Sequence, residues 1–147
     1  MASFTLSEMS FYRNNYSPAM HDAVQKTDSI FGEFLSESKN HNFRLLILDI
    51  PSKVAVLRSF KETALYEIDT RSRDYALETI RQGYAFEKPD SIVQSLSEKH
   101  HIHYISLLST FRKKTELSPF YRIDTHWRTV GEKIAADTLI KAFKQLE

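Results

Sequence analysis

The sequence predicts an α/β protein in which short parallel strands are flanked by helices. Two apolar runs, Phe43–Ile50 and His101–Leu108, alternate with segments whose apolar residues recur at three-and-four spacing. Alternation of this kind belongs to layered α/β folds. The chain also holds only 3 glycines in 147 residues, too few for a fold rich in tight hairpins.

Each element has its own warrant. Residues 1–16 are polar and aromatic without a period, and form a lead-in to a domain spanning 17–147. Ser17-Pro18 is a helix start, a capping hydroxyl followed by proline at the first helical position. Met20, Ala23, Val24, Thr27, Ile30, Phe31, Phe34 and Leu35 then mark one apolar face, ending near Ser38. Phe43–Ile50, closed by Pro51, predicts a strand buried on both faces. Pro51-Ser52-Lys53 is the loop at its carboxyl end. Two short helices are expected at about Ser59–Tyr66 and Arg71–Gln82, with Gly83 as a stop. Pro89-Asp90 opens another helix lined by Ile92, Val93 and Leu96, and His101–Leu108 is the second strand. Phe111–Leu117 is expected to be a surface turn. A last helix runs from about Thr129 to Leu146, with Val130, Ile134, Ala135 and Phe143 among its inward residues. Two strands are few for a parallel sheet. Either the irregular segments hold more, or the chain is part of a larger sheet.

Composition narrows the function classes. A formal charge of +1 gives no strong attraction to nucleic acid or an anionic membrane. The absence of cysteine excludes disulfides, thiolate chemistry and cysteine-based zinc sites. No run approaches the roughly 20 apolar residues of a membrane helix. The first twenty residues lack the apolar stretch of a signal peptide.

The most informative stretch is Tyr121–Gly131, where Asp124-Thr125-His126-Trp127 is followed by Gly131. A carboxylate two residues from an imidazole can fix its tautomer and orient it as a general base. Asp124 and His126 are therefore the candidate catalytic pair. The competing bland arrangement is a turn in which Asp124 caps a backbone donor. Trp127 is expected to pack the loop against the core. His101 and His103 would share a strand face and could hold an ion, but no third ligand has suitable spacing, and no metal is expected. Lys53 is expected to be a solvated loop lysine, although a strand's carboxyl end is also where ligands sit. Asp49, inside a strand, needs a polar partner. Arg71, Arg73 and Arg81 form a solvated face. The aromatics Phe4, Phe11, Tyr12 and Tyr16 either cover a hydrophobic edge or belong to a loose lead-in.

From about Asn14 onward the chain resembles the C-terminal half of the SGNH (GDSL-like) hydrolases. The likeness rests on the strand ending Leu48-Asp49-Ile50-Pro51-Ser52-Lys53, the second strand, and the Asp124-Thr125-His126-Trp127-x-x-x-Gly131 block entering a terminal helix. The Pro-Ser-Lys turn and the Asp-x-His-Trp block look like the subset related to bacterial acetyltransferase and acetylesterase domains acting on cell-surface polysaccharides. The resemblance implies a partial three-layer parallel sheet, the C-terminal half of an SGNH/flavodoxin-like fold. It implies a serine esterase or O-acyltransferase acting on acyl, chiefly acetyl, esters without a cofactor. His126 would be the general base and Asp124 its orienting carboxylate, completing a triad with a serine from an early Gly-Asp-Ser block. That block is missing from this sequence, and Met1-Ala2-Ser3-Phe4-Thr5 carries only a faint likeness to it. The resemblance therefore implies a chain with the His/Asp part of the triad and not the nucleophile. An acylated polysaccharide is the implied substrate. A complementary N-terminal half, or self-association, is the implied way of completing the sheet. The alternative is a non-catalytic binding or assembly module derived from the same fold.

Overall fold

A computed structural model of the chain describes residues 10–57, 83–117, 119–120 and 126–144. The described residues are α/β, mostly helical, with a two-stranded parallel sheet. In chain order they form α1 (Pro18–Asn40), β1 (Leu46–Asp49), α2 (Lys53–Leu57), α3 (Lys88–Lys99), β2 (His103–Ser106), α4 (Leu108–Arg112) and α5 (Thr129–Phe143). Short 3-10 turns lie at Ser10–Tyr12 and Thr115–Leu117. The expected helices Ser59–Tyr66 and Arg71–Gln82, together with Ser3, Phe4 and Asp124, fall outside the described residues.

Two compact units divide the chain. Among the described residues, one comprises 10–48 and 83–104, and the other 49–57, 105–117, 119–120 and 126–144.

In the first unit α1 begins as expected. Ser17 is extended, its Oγ accepts the Met20 N–H at 3.3 Å, and Pro18 is the first helical residue. The end of the helix is set by Asn42, whose φ of 53° is left-handed, while Phe43 N–H donates to Ser38 O at 3.0 Å. The same device closes α3. His101 has φ 54°, its N–H donates to Glu98 O, and Ile102 N–H donates to Ser97 O. Asn and His tolerate the left-handed region better than most side chains, so each serves where glycine is commonest. Phe31, Leu96 and Ile102 form the buried core between α1, α3 and the start of β2, with Leu35, Leu45, Ile47, Ile92 and Val93 packed around them. The buried hydroxyls of Ser38 and Ser97 are satisfied by the Leu35 and Val93 carbonyls.

Residues 10–16 are tied to 83–88. Asn14 N–H donates to Gly83 O and Ala85 N–H to Tyr12 O, at 2.8 and 2.7 Å. Lys88 Nζ donates to the Arg13 and Asn14 carbonyls and lies 3.5 Å from the centre of the Tyr16 ring. Tyr12 is buried and packs beside Phe86, whereas Phe11 is exposed. Burial raises the Tyr16 phenol above its ordinary value, and its hydroxyl donates to Phe11 O.

Several expectations change. β1 is half-buried along its whole length rather than buried on both faces. Among the described residues each strand has a neighbour on one side only, which leaves more of it accessible. His101 is a helix-capping residue and β2 starts at His103, so the two imidazoles do not share a strand face. Lys53 is not in a loop. It is the first residue of α2, a helix that Ser52 caps by accepting the Ala55 N–H at 3.1 Å, and it is buried. Only the start of the Phe111–Leu117 stretch departs from a surface turn: Phe111 completes the apolar face of α4 and is fully buried, while Lys113–Leu117 is turn and 3-10 backbone, half-buried to exposed. Phe143 is exposed rather than inward.

Candidate functional site

The second unit is assembled around Phe111. It has no exposed surface, and neither does Leu107 at the start of α4. Val54, Ala55 and Val56 of α2 are buried in the same unit. The Arg112 guanidinium donates to Ala55 O through Nε at 3.2 Å and Nη2 at 2.7 Å, joining α4 to α2. The parallel ladder continues past β2, since Leu107 N–H donates to Asp49 O at 3.1 Å. That bond gives the Asp49 backbone a partner, and the Asp49 residue is half-buried.

The segment carrying the candidate residues is pinned at both ends. Pro119 and Phe120 are buried on one side, and Trp127 is half-buried on the other. Phe120 and Trp127 form an antiparallel bridge, and Arg128 N–H donates to Pro119 O at 2.8 Å. The Phe111 ring lies 5.6 Å from that of Phe120 and 5.0 Å from that of Trp127, both tilted. Trp127 thus packs the segment against the core, as its sequence context predicts. Gly131, in the first turn of α5, has no room for a side chain. A Cβ there would meet Pro119 O at 2.6 Å and the Cβ of Trp127 at 3.1 Å.

His126 immediately precedes this anchor and is exposed. Trp127 is half-buried and Gly131 buried, while His126 is on the surface. A reactive side chain on an otherwise rigid support has this arrangement. Its expected partner Asp124 lies outside the described residues.

A different carboxylate–imidazole pair occurs in the first unit, and sequence reasoning missed it. Asp28 on α1 faces the end of α3. Its Oδ1 is 2.7 Å from His100 Nε2 and its Oδ2 accepts from Lys99 Nζ. The His100 ring lies against Gly32, where a Cβ would be 3.4 Å from Cε1, and beside Phe31. Hydrogen bonds from Lys99 and then His100 hold the Asp28 carboxyl below the usual carboxylate range. The positive charge of Lys99 also sits in the last turn of α3, where the helix dipole favours it. The partners are 72 residues apart, so no local spacing could announce them. The cluster clamps two helices, and its carboxylate is engaged by both the Lys99 ammonium and the His100 imidazole.

Among the described residues no group of three or more His, Asp or Glu is placed to hold a metal ion. No described helix is long and apolar enough to cross a membrane. No protein-family model, curated protein or solved structure matches the chain.

Proposed function

We propose that the chain carries the His/Asp part of an SGNH-type serine esterase or O-acyltransferase acting on acyl, chiefly acetyl, esters. His126 would accept the proton of an attacking serine and return it to the leaving alcohol. Asp124 would hold the imidazole in the tautomer that allows this. The nucleophile and the oxyanion donors would come from outside this chain's recognisable motifs. A complementary half would supply them while extending the two-stranded sheet towards a three-layer SGNH/flavodoxin-like fold. An acylated polysaccharide is the proposed substrate class. Besides the motif itself, one observation carries this reading: His126 is exposed directly beside a packed Trp127–Gly131 anchor.

Two measurements test it. The chain alone should not turn over p-nitrophenyl acetate above a His126→Ala control, because a triad without its nucleophile retains little catalysis. Turnover that disappears in His126→Ala would instead place a working serine in this chain. The proton spectrum should contain a far-downfield imidazole N–H resonance that both His126→Ala and Asp124→Asn abolish. Survival of that resonance in Asp124→Asn would eliminate the dyad.

A second reading, a non-catalytic binding or assembly module, is favoured by the exposed apolar side chains. Ile30 and Phe34 lie one turn apart on α1, and Ile140 and Phe143 lie one turn apart on α5, all about half exposed. Sedimentation at micromolar concentration distinguishes the two. Self-association weakened by Phe34→Ser or Phe143→Ser supports the assembly module, and a monomer throughout counts against it.

A further inference from the structure

Pro119 O is held from two directions. Arg128 N–H donates to it at 2.8 Å, and the bare Cα of Gly131 lies so close that a Cβ would approach it to 2.6 Å. The same hypothetical Cβ would press on Trp127 at Cβ and Cγ, at 3.1 and 3.3 Å. A contact of 2.6 Å with a backbone oxygen cannot be relieved by rotating a side chain. Either the first turn of α5 must move, or the Pro119 and Trp127 backbones must. Trp127 is further fixed by the Phe111 ring and by its bridge to Phe120. Since His126 is the residue before Trp127, any shift of Trp127 is transmitted through one peptide unit to the imidazole.

Resting on the reading of His126 as the proposed general base, we infer that Gly131 and Trp127 are positioning residues that set where His126 is presented. The role differs from ordinary helix stability in sign. Alanine favours helix over glycine, so Gly131→Ala strengthens the helix taken alone while it displaces the His126 support. Helical content and loop geometry should therefore part company in that variant.

Trp127 is the only tryptophan in the chain, so its fluorescence reports this anchor alone. In the full chain, Gly131→Ala should retain the far-ultraviolet circular dichroism of the wild type. Its Trp127 emission should shift to the red and become more open to acrylamide quenching. The His126 imidazole C–H cross-peak, assigned by its loss in His126→Ala, should move, while those of His21 and His100 in the other unit should stay. Unchanged Trp127 emission together with an unmoved His126 cross-peak would overturn the inference. Should Gly131→Ala fail to fold, Trp127→Phe decides: it keeps a ring against Phe111, and the His126 cross-peak must move for the inference to stand. Asp124→Asn separates the two levels. If it leaves the downfield imidazole proton intact while Gly131→Ala still moves His126, the dyad fails and the positioning role survives. The opposite pattern removes the positioning role and keeps the dyad.

Discussion

The two units reach stability by different routes. In the first, α1 with 23 residues and α3 with 12 pack through amphipathic faces, and the core of Phe31, Leu96 and Ile102 is small. Its neighbours remain partly accessible, and a polar clamp of Asp28 with Lys99 and His100 secures the contact. In the second, α2 and α4 have 5 residues each, far below the roughly 12–15 at which an isolated helix becomes marginally stable. They persist because Val54, Ala55, Leu107 and Phe111 are almost entirely removed from water. Long elements can leave a contact half-buried, whereas short ones depend on complete burial. The proposed functional loop is attached to the unit of the second kind, where anchoring is strictest.

The largest expected effect tests that contrast. Phe111→Ala should destabilise by about 3–5 kcal/mol, since it removes a fully buried ring that Phe120 and Trp127 both touch. Leu96→Ala, in the more accessible core, should fall towards the lower part of the about 2–5 kcal/mol range for such truncations. Urea denaturation of both variants measures the difference, and an equal or larger loss for Leu96→Ala would break the comparison.

Gly131→Ala comes next. Overpacking costs about 1–3 kcal/mol, against a helix-propensity gain of about 1 kcal/mol. The contact at 2.6 Å is with backbone, which places the balance on the destabilising side. A rise in the urea midpoint would mean that the first turn of α5 yields more easily than its packing indicates. Ser17→Ala should then cost about 1 kcal/mol by removing the cap on Met20 N–H. A cost near zero would show that tertiary contacts alone fix the start of α1.

The smallest effect is electrostatic and sharpens the account of the first unit. Asp28 has a folded-state value below its unfolded one. Its contribution is therefore present above the unfolded value and is lost as pH falls through the folded one. Asp28 is partly exposed, so the contribution is modest and screened by salt. Stability differences between wild type and Asp28→Asn should be greatest near neutrality and shrink below about pH 4. A difference that grows on acidification would remove Asp28 from the clamp.

Local chemistry made much of this molecule legible. Ser17-Pro18 determined the start of α1, because a cap and a preset φ act within one turn. The placement of α3 and α5 followed from their apolar periods, and the two strand cores from short apolar runs. Trp127 was identifiable as an anchor because a large ring beside polar residues needs a buried surface. Asp124 and His126 drew notice through their spacing and the resemblance of their block, and their pairing depends on side-chain directions that neither sets. Other features belonged to the tertiary structure. Pro51-Ser52-Lys53 carries signals for both a loop and a helix cap, and packing of Val54 and Ala55 selected the helix, burying Lys53 with them. Phe111 stands among polar residues in sequence, so only the arrival of Phe120 and Trp127 made it a core centre. The Asp28–His100 contact joins residues far apart in the chain, and the steric demand on Gly131 comes from a carbonyl twelve positions earlier. Sequence determined what each segment could become on its own. Tertiary structure decided which distant surfaces met, because burial and close contact are properties of pairs of segments.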